Sequence, residues 1–491
     1  MVHHSLIDWQ EGLSSGDLSS LFLSMGCLDR IEALDPHLKA TIYLNRARSL
    51  AIAKSSDDRL RTGQRGPMLG IPVVLKDNLN WDGTATSQGS KISKNYCSPY
   101  SATVVRRLLE AGAVPVAKAN MDEFAMGSSG EHSVFGVTRN PWDPSRVPGG
   151  SSSGSIVAVA AGFAPFALGT DTGGSVRLPA AFCNVTALRP TYGVLSRFGI
   201  TSMASSLDQV GPVARSAQDL AMGFSVMTGR DPLDSTSLDL HGSERLANLT
   251  PGNLKGLRIG LPKEYFEDGI DPEVRLVLGT TLQRLASEGA ELVDVSLPYT
   301  RYAIETYYVI CTSEVSSNMS RFDGVRFGLR KESSSLHGMM SCTREEGFGT
   351  EVKRRILLGA FCLSKGYYEA YYAKALKART LLAQDFERVF REVDCVLTPV
   401  SPTVAFKIGA KTQDPLSMYM ADIFTVTPSL AALPCLSIPA GFATVPDDPG
   451  KRLPVGMQLI GPPLSDVKLL EWAHAFQQVT DHHLQTPPLE S

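Results

Sequence analysis

The spacing of apolar residues changes along the chain from a helical to a strand-like pattern. Near the N-terminus, apolar residues recur every three or four positions, as in an amphipathic helix: Leu18, Leu21, Phe22, Met25 and Leu28. Residues 31–54 continue this helical pattern, and the charged stretch 54–66 indicates an exposed connection. The first 65 residues therefore predict a helical layer.

From residue 70 onward, short apolar runs alternate with helical segments. Residues 70–76 (GIPVVLK) and 113–118 (AVPVAK) indicate buried strands around a helix that Ser101 caps and Gly112 ends. The same unit recurs within 257–298. Such alternation is typical of α/β proteins. We predict an α/β fold with a mixed, mostly parallel sheet covered by helices on both faces.

The remaining pattern favours one domain over two. A helical stretch at 367–393, a strand at 394–400 and a helix near 469–479 follow without a low-complexity linker or an internal repeat. The longest apolar run, 156–168, is shorter than the roughly 20 residues that a membrane span needs. We predict a single large domain over 1–491.

Composition limits the classes of function. The 491 residues are 43% apolar and 20% charged with a net charge of −3, so nothing favours broad attraction to nucleic acid or anionic membrane. The eight cysteines and nine histidines lack zinc or disulfide spacing, and we expect no metal site. Residues 1–12 lack the apolar segment of a signal peptide. We expect a soluble, cytoplasmic protein.

A Gly/Ser cluster at 149–155 (GGSSSGS) precedes an apolar helix and allows three interpretations. It satisfies G-x-S-x-G, the nucleophile elbow of α/β-hydrolases, but the preceding segment is turn-like and no histidine has a distinguishing context. A phosphate-binding loop would need a following G-K-[ST], which is absent. A loop that only caps the helix is the simplest interpretation of this cluster taken alone.

A second cluster, DTGGS at 171–175, follows an apolar strand and places Ser175 directly after two glycines. Such a turn lets backbone N–H groups point toward one place, where they can hold a developing oxyanion beside the serine hydroxyl. An ordinary strand-to-helix turn would also use Gly-Gly-Ser. Ser175 is the candidate nucleophile.

Lys76 is the candidate base, because no histidine is convincingly placed. It ends the apolar strand, so its amine can lie at the mouth of the core. A lysine acts as a base only when neutral, and its ordinary pKa of about 10.4 would have to fall by roughly 3 units. A strand-end lysine that extends to water is the alternative.

Three features together resemble the amidase signature family over residues 70–212: Lys76, GGSSSGS (149–155) and DTGGS (171–175). The resemblance implies a Ser–Ser–Lys triad. In it, Ser175 is the nucleophile that carries the acyl group and Ser151 relays its proton. Lys76 is the base, which later returns the proton to the leaving ammonia.

The family resemblance also implies details of backbone and domain structure. It implies a cis peptide between Gly150 and Ser151 and an oxyanion hole formed by backbone N–H groups, those of Thr172, Gly173, Gly174 and Ser175. It implies one amidase-signature domain over 1–491 with three parts: a helical layer (1–65), the catalytic core (70–212), and the rest of the sheet with the substrate pocket (213–491).

Further motifs, several of them outside this core, are similar to one branch of the family, the A subunits of glutamyl-tRNA(Gln) amidotransferases. They include MDEFAMGSS (121–129), NPWD (140–143), RPTYG (189–193), ASSLDQVGP (204–212), EVKRRILLG (351–359) and MYMADIFTV (418–426). This resemblance implies hydrolysis of glutamine and delivery of ammonia to partner B and C subunits, where Glu-tRNA(Gln) is amidated with ATP and magnesium. It implies no cofactor on this chain, in which we find no nucleotide-binding motif.

Arg355 and Asp422 match the positions that hold glutamine in this branch. Free glutamine carries a carboxylate and an ammonium, so its pocket needs one group of each sign, and an arginine suits a carboxylate. Without the resemblance, Arg355 would be one charge of a solvated K-R-R run and Asp422 a helix cap.

The sequence departs from the branch pattern at several positions. Ser153 replaces a glycine, Leu178 replaces a glutamine, Asn184 begins a stretch that usually contains glycine, and Gly130 and His132 are atypical. None of these changes removes a triad residue; they bear on partner and ammonia-tunnel contacts.

These observations predict the glutaminase subunit of a glutamyl-tRNA(Gln) amidotransferase. Two alternatives stay open. One is a stand-alone amidase acting on another small amide, which would not depend on Arg355 and Asp422. The other is a non-catalytic assembly protein, against which the joint presence of Lys76, Ser151 and Ser175 argues.

Overall fold

The computed structural model describes residues 5–266, 269–445 and 448–489. Within them, eleven strands form one sheet: β1 (Thr41–Tyr43), β2 (Pro72–Lys76), β3 (Val114–Ala119), β4 (Phe166–Asp171), β5 (Thr186–Arg189), β6 (Gln209–Ala214), β7 (Arg258–Pro262), β8 (Glu291–Val295), β9 (Cys395–Pro399), β10 (Cys435–Val445) and β11 (Asp448–Ile460).

Fifteen α-helices accompany the sheet in the described part of the chain: α1 (Leu6–Ser15), α2 (Ser20–Leu38), α3 (Arg46–Arg61), α4 (Thr103–Glu110), α5 (Ser153–Ala160), α6 (Arg177–Cys183), α7 (Ala217–Ser225), α8 (Pro272–Ser287), α9 (Ala303–Asn318), α10 (Leu336–Gly347), α11 (Thr350–Leu363), α12 (Lys374–Val389), α13 (Pro415–Tyr419), α14 (Val426–Leu430) and α15 (Asp466–Gln478). Among these described helices, none has the length and apolarity required to cross a membrane.

The strand order is β1-β3-β2-β4-β6-β5-β10-β11-β9-β7-β8. Pairing is parallel within β3-β2-β4 and β9-β7-β8 and antiparallel at the other six contacts between the described strands. The predicted α/β class with a mixed sheet is confirmed. Six of the ten contacts between neighbouring described strands are antiparallel, and the contact between the consecutive strands β10 and β11 is one of the six.

Three local predictions were wrong. Ser101 does not cap α4; its hydroxyl accepts the N–H of Asp82 at 3.0 Å, and α4 has no side-chain cap. The helical pattern of 31–54 is interrupted by β1. The predicted connection at 54–66 is helical as far as Arg61. The apolar pattern did not indicate this helical extension, because the residues that α3 buries are small: Ser49, Ala53 and Ser56.

The sheet places the two motifs of interest next to each other. β2 and β4 are parallel neighbours, so the ends that carry Lys76 and the turn at 171–175 lie at the same edge of the sheet. Helix α5 leads from the Gly/Ser loop at 149–152 back into β4 and packs on both strands. Three segments distant in sequence therefore meet at one point.

Candidate active site

The amine of Lys76 is fully buried among hydroxyl groups. Its Nζ lies 2.8 Å from Ser151 Oγ, 2.9 Å from Ser152 Oγ and 2.9 Å from Thr170 Oγ1. No carboxylate lies within ion-pair distance of it among the described residues. Burial therefore dominates and lowers the pKa of Lys76 to about 7, although the charges of Asp122 and Asp171 oppose this shift.

The hydrogen bonds around Lys76 distinguish Ser151 from its neighbour. Ser152 Oγ donates its proton to the carbonyl of Thr170 at 2.9 Å and accepts the Thr170 N–H at 3.2 Å, so it meets Lys76 as an acceptor. Ser151 Oγ has no other partner in the described residues. Ser151 is therefore the hydroxyl whose proton is free to move to a neutral Lys76.

The Gly/Ser loop and the 171–175 turn are joined through their backbones. The Ser152 N–H donates to the carbonyl of Ser175 at 3.0 Å, and the peptide between Gly150 and Ser151 is cis. The Ser175 side chain lies at the edge of the buried region, at 9% exposure, and no hydrogen bond joins its hydroxyl to any described residue. The structure thus places the backbone of Ser175 against the loop that carries Ser151, with no hydrogen bond between the hydroxyls of these two serines.

A buried carboxylate shapes the 171–175 turn. Asp171 accepts the Gly174 N–H at 2.8 Å and the Val176 N–H at 3.2 Å. Burial opposes its ionisation, but Arg177 and Arg189 outweigh burial and hold the pKa of Asp171 at about 2. Asp171 is therefore a permanent anion that fixes the turn.

The predicted oxyanion donors differ in their availability. The N–H groups of Thr172, Gly173 and Ser175 have no acceptor within the described residues, whereas that of Gly174 donates to Asp171. Gly174 is needed for its shape, since its φ is +137° and a Cβ there would lie 2.3 Å from Thr425 Oγ1.

Arg355 and Asp422 both contact Tyr308. The Arg355 guanidinium is 5.3 Å from the centre of the Tyr308 ring, and the Tyr308 hydroxyl donates to Asp422 Oδ2 at 3.4 Å. Arg355 Nε donates to Glu351 at 2.8 Å, while its two terminal nitrogens have no partner in the described residues. These two donors can meet a carboxylate in parallel.

Asp422 supplies the opposite charge in a buried setting. Burial raises the pKa of Asp422 to about 7, although a hydrogen bond from Ser128 Oγ at 2.6 Å and the charge of Arg355 lower it. Thr425 Oγ1 donates to the carbonyls of both Asp422 and Gly173, so this pocket adjoins the 171–175 turn. An arriving ammonium would keep Asp422 ionised.

Sequence reasoning missed three residues of this pocket: Ser128, Tyr308 and Tyr419. Tyr419 stacks on Tyr308 at 3.9 Å between ring centres and donates to Glu351 at 3.0 Å. Ser128 and Tyr419 lie inside the motifs 121–129 and 418–426, which was the available signal. Tyr308 lies in α9, outside these motifs, and no sequence signal marked it.

Two departures from the branch pattern compensate each other. A Cβ on Gly130 would lie only 2.8 Å from the Cβ of Ser153, so the missing side chain at 130 makes room for the serine. Ser153 Oγ then bonds Thr138 Oγ1 at 3.2 Å. Asn184 is explained separately, since it ends α6 with a φ of 60°, a conformation that asparagine tolerates. Leu178 is simply buried in the core.

The described residues contain no group of three or more His, Cys, Asp or Glu side chains that could hold a metal ion. The chemistry available here is instead that of two hydroxyls, one buried amine and a set of backbone N–H donors. Such a site can form and hydrolyse an ester intermediate on Ser175.

Comparisons with known proteins agree with this chemistry. The sequence model of the family described as Amidase matches residues 25–470. The A subunit of glutamyl-tRNA(Gln) amidotransferase from Carboxydothermus hydrogenoformans is 51% identical over 98% of both chains. The crystal structure of the Thermotoga maritima protein of that name has a TM-score of 0.78 at 39% identity, covering 96% of this chain and 94% of that one. A native peptide amidase from Stenotrophomonas maltophilia has a TM-score of 0.82 at 31% identity, covering 99% and 98%.

The contact between positions 130 and 153 predicts a rescue experiment. Gly130→Ala should lower the free energy of unfolding by roughly 1–3 kcal/mol, because Ser153 crowds the new Cβ and the backbone at position 130 is in the left-handed region. Adding Ser153→Gly should restore the part due to crowding, as urea unfolding would measure. Gly63→Ala is the matched control, since Gly63 is also left-handed but has nothing within 4 Å. Failure of Ser153→Gly to improve Gly130→Ala would contradict the contact.

The buried amine predicts a pH-dependent stability difference. The pKa of Lys76 is lowered in the folded chain to about 7 from an ordinary value of 10.5, so between these values only the unfolded chain holds the proton. Wild-type stability should therefore rise with pH relative to Lys76→Met by about 1.4 kcal/mol per pH unit. Urea unfolding from about pH 7 to about pH 9 measures this slope. Lys54 is exposed, and the stability difference between wild type and Lys54→Met should not follow this slope. A stability difference for Lys76→Met that does not change with pH would contradict the lowered pKa of Lys76.

Proposed function

The chain belongs to the amidase family, and on that basis we propose that it is the glutamine-hydrolysing A subunit of a glutamyl-tRNA(Gln) amidotransferase. One observation carries the proposal: a buried Lys76–Ser151 pair stands beside the turn of Ser175, and that turn adjoins a pocket with one arginine and one carboxylate. A glutamine amide, fixed by its two charged ends, suits this arrangement.

The proposed reaction begins with proton transfer toward Lys76. With a pKa of about 7, roughly half of the amine is neutral near pH 7. Its two N–H groups bond Ser152 and Thr170, which leaves the lone pair for the Ser151 proton. Ser151 in turn accepts the proton of Ser175, whose Oγ attacks the side-chain amide carbon of glutamine.

The tetrahedral intermediate places a negative charge near the 171–175 turn. The N–H groups of Thr172 and Gly173 are free to stabilise it, with Gly174 sharing its N–H with Asp171. The C–N bond then breaks, and Lys76 returns the proton to the leaving nitrogen, which departs as ammonia. Water attacks the ester on Ser175 and releases glutamate.

Arg355 and Asp422 select glutamine among small amides in this proposal. The terminal nitrogens of Arg355 bind the α-carboxylate, and Asp422 binds the α-ammonium. Relatives that are about half identical over nearly the whole chain bear the name of this amidotransferase component, which favours this function over a stand-alone amidase.

We further propose that partner B and C subunits receive the ammonia and amidate Glu-tRNA(Gln) in the cytoplasm, with ATP and magnesium held by a partner. Apolar side chains exposed on α11 support a covered surface next to Arg355: Leu357 is 71% exposed, Leu358 43% and Phe361 45%. The chain itself would bind no cofactor.

The nucleophile assignment predicts loss of activity without loss of fold. Ser175→Ala should reduce ammonia release from glutamine by at least about a thousandfold, since no other hydroxyl can form the ester. Ammonia release is measured for the chain alone and with its B and C partners, ATP and Glu-tRNA(Gln). Ser153→Ala, a serine outside the proton path, should retain activity. Full activity of Ser175→Ala would overturn the assignment.

The glutamine pocket predicts separable effects on binding and turnover. Arg355→Lys keeps the charge but loses the parallel donors, and should raise KM for glutamine by roughly tenfold or more with a smaller change in kcat. Asp422→Asn should act in the same direction. Arg284→Lys, at an arginine that pairs with Glu288 on α8, is the matched control. Unchanged KM in both variants, with efficient hydrolysis of unrelated amides, would favour the stand-alone amidase.

A further inference from the structure

The short turn that follows β3 contacts both halves of the proposed site. The Asp122 N–H donates to the carbonyl of Ser151 at 3.2 Å. The next residue, Glu123, accepts the N–H of Gly349 at 2.8 Å, directly before α11 begins. Two consecutive residues therefore join the serine loop to the helix that carries Arg355.

The contact between Glu123 and Gly349 is close and enclosed. Glu123 is 6% exposed, and its other carboxylate oxygen accepts the hydroxyl of Ser90. A Cβ on Gly349 would lie 2.3 Å from Glu123 Oε2, so only glycine permits this approach. The ring of Phe124 adds a second contact, at 5.7 Å from the ring of Phe348.

The turn itself holds an unfavourable backbone conformation. Phe124 has a φ of 50° and Ala125 a φ of 62°, and left-handed conformations are unfavourable for residues with a Cβ. Such a turn persists only where its surroundings fix it. The bond from Glu123 to Gly349 is one of the contacts that do so.

We propose that Glu123 is a positioning residue for glutamine, which fixes the start of α11 and thereby the guanidinium of Arg355. Glu351, two residues after Gly349, forms an ion pair with Arg355 at 2.8 Å, so the path from Glu123 to the pocket is continuous. This proposal rests on the proposed role of Arg355 in binding the α-carboxylate. It assigns no chemical step to Glu123.

The test is glutaminase kinetics of the assembled A, B and C subunits. Glu123→Ala should raise KM for glutamine about tenfold and leave kcat within about twofold, because binding geometry changes but the triad does not. Labelling of Ser175 by a small uncharged fluorophosphonate should keep its wild-type rate. Glu123→Gln retains an oxygen that can accept the Gly349 N–H and should restore KM to within about threefold of wild type.

A double-mutant cycle isolates the contact. Gly349→Ala should also raise KM, since its Cβ displaces Glu123, but in the Glu123→Ala background it should add little, because the opposing oxygen is gone. Glu346→Ala is the matched control, an exposed glutamate on α10 that forms ion pairs with Lys91 and Lys331.

The outcomes separate this proposal from the proposed function. Unchanged KM in Glu123→Ala, additive effects in the cycle, or slower Ser175 labelling with a fall in kcat would each overturn the positioning role. A wild-type complex without glutaminase activity would overturn the proposed function itself. A rise in KM in both Glu123→Ala and Gly349→Ala, with unchanged labelling of Ser175, supports the positioning role and the proposed function.

Discussion

The structure depends above all on one buried amine surrounded by hydroxyl groups. An ionised carboxylate in contact with Lys76 would stabilise its charged form and leave no base for the serines. Ser151, Ser152 and Thr170 instead satisfy the amine with neutral partners, so burial sets its proton affinity. The charges of Asp122 and Asp171 favour the protonated amine, but burial outweighs them.

Asp171 illustrates how the surrounding charges are kept away from the amine. It lies at the end of a strand next to that of Lys76, yet Arg177 and Arg189 bind its carboxylate and balance its charge. Replacing one partner of such a buried group would leave an unmatched charge, which is strongly unfavourable. The same carboxylate holds the backbone of the 171–175 turn, so one anion, balanced by two arginines, fixes the shape of the proposed oxyanion site.

The sequence predicted the parts of this protein that follow from local periodicity and from short motifs. Strands β2, β3, β7, β8 and β9 and the terminal helix were identified by their apolar runs. Ser175 and Lys76 were singled out by a Gly-Gly-Ser turn and a strand-end position, whereas Ser151 was named only through the family resemblance. It did not predict the β10–β11 hairpin, because strands that are buried on both faces lack the alternation of apolar and polar residues that indicates a strand. Tyr308 was missed for a similar reason: its role arises only when α9, α11 and the segment around Asp422 meet, and no local pattern encodes that meeting.

The contact between Gly130 and Ser153 makes two positions in separate segments of the chain interdependent. A side chain at position 130 would crowd the Cβ of a serine at 153, whereas glycine at both positions is sterically permitted. The two positions therefore behave as one unit, in which the residues that one position accepts depend on the residue at the other.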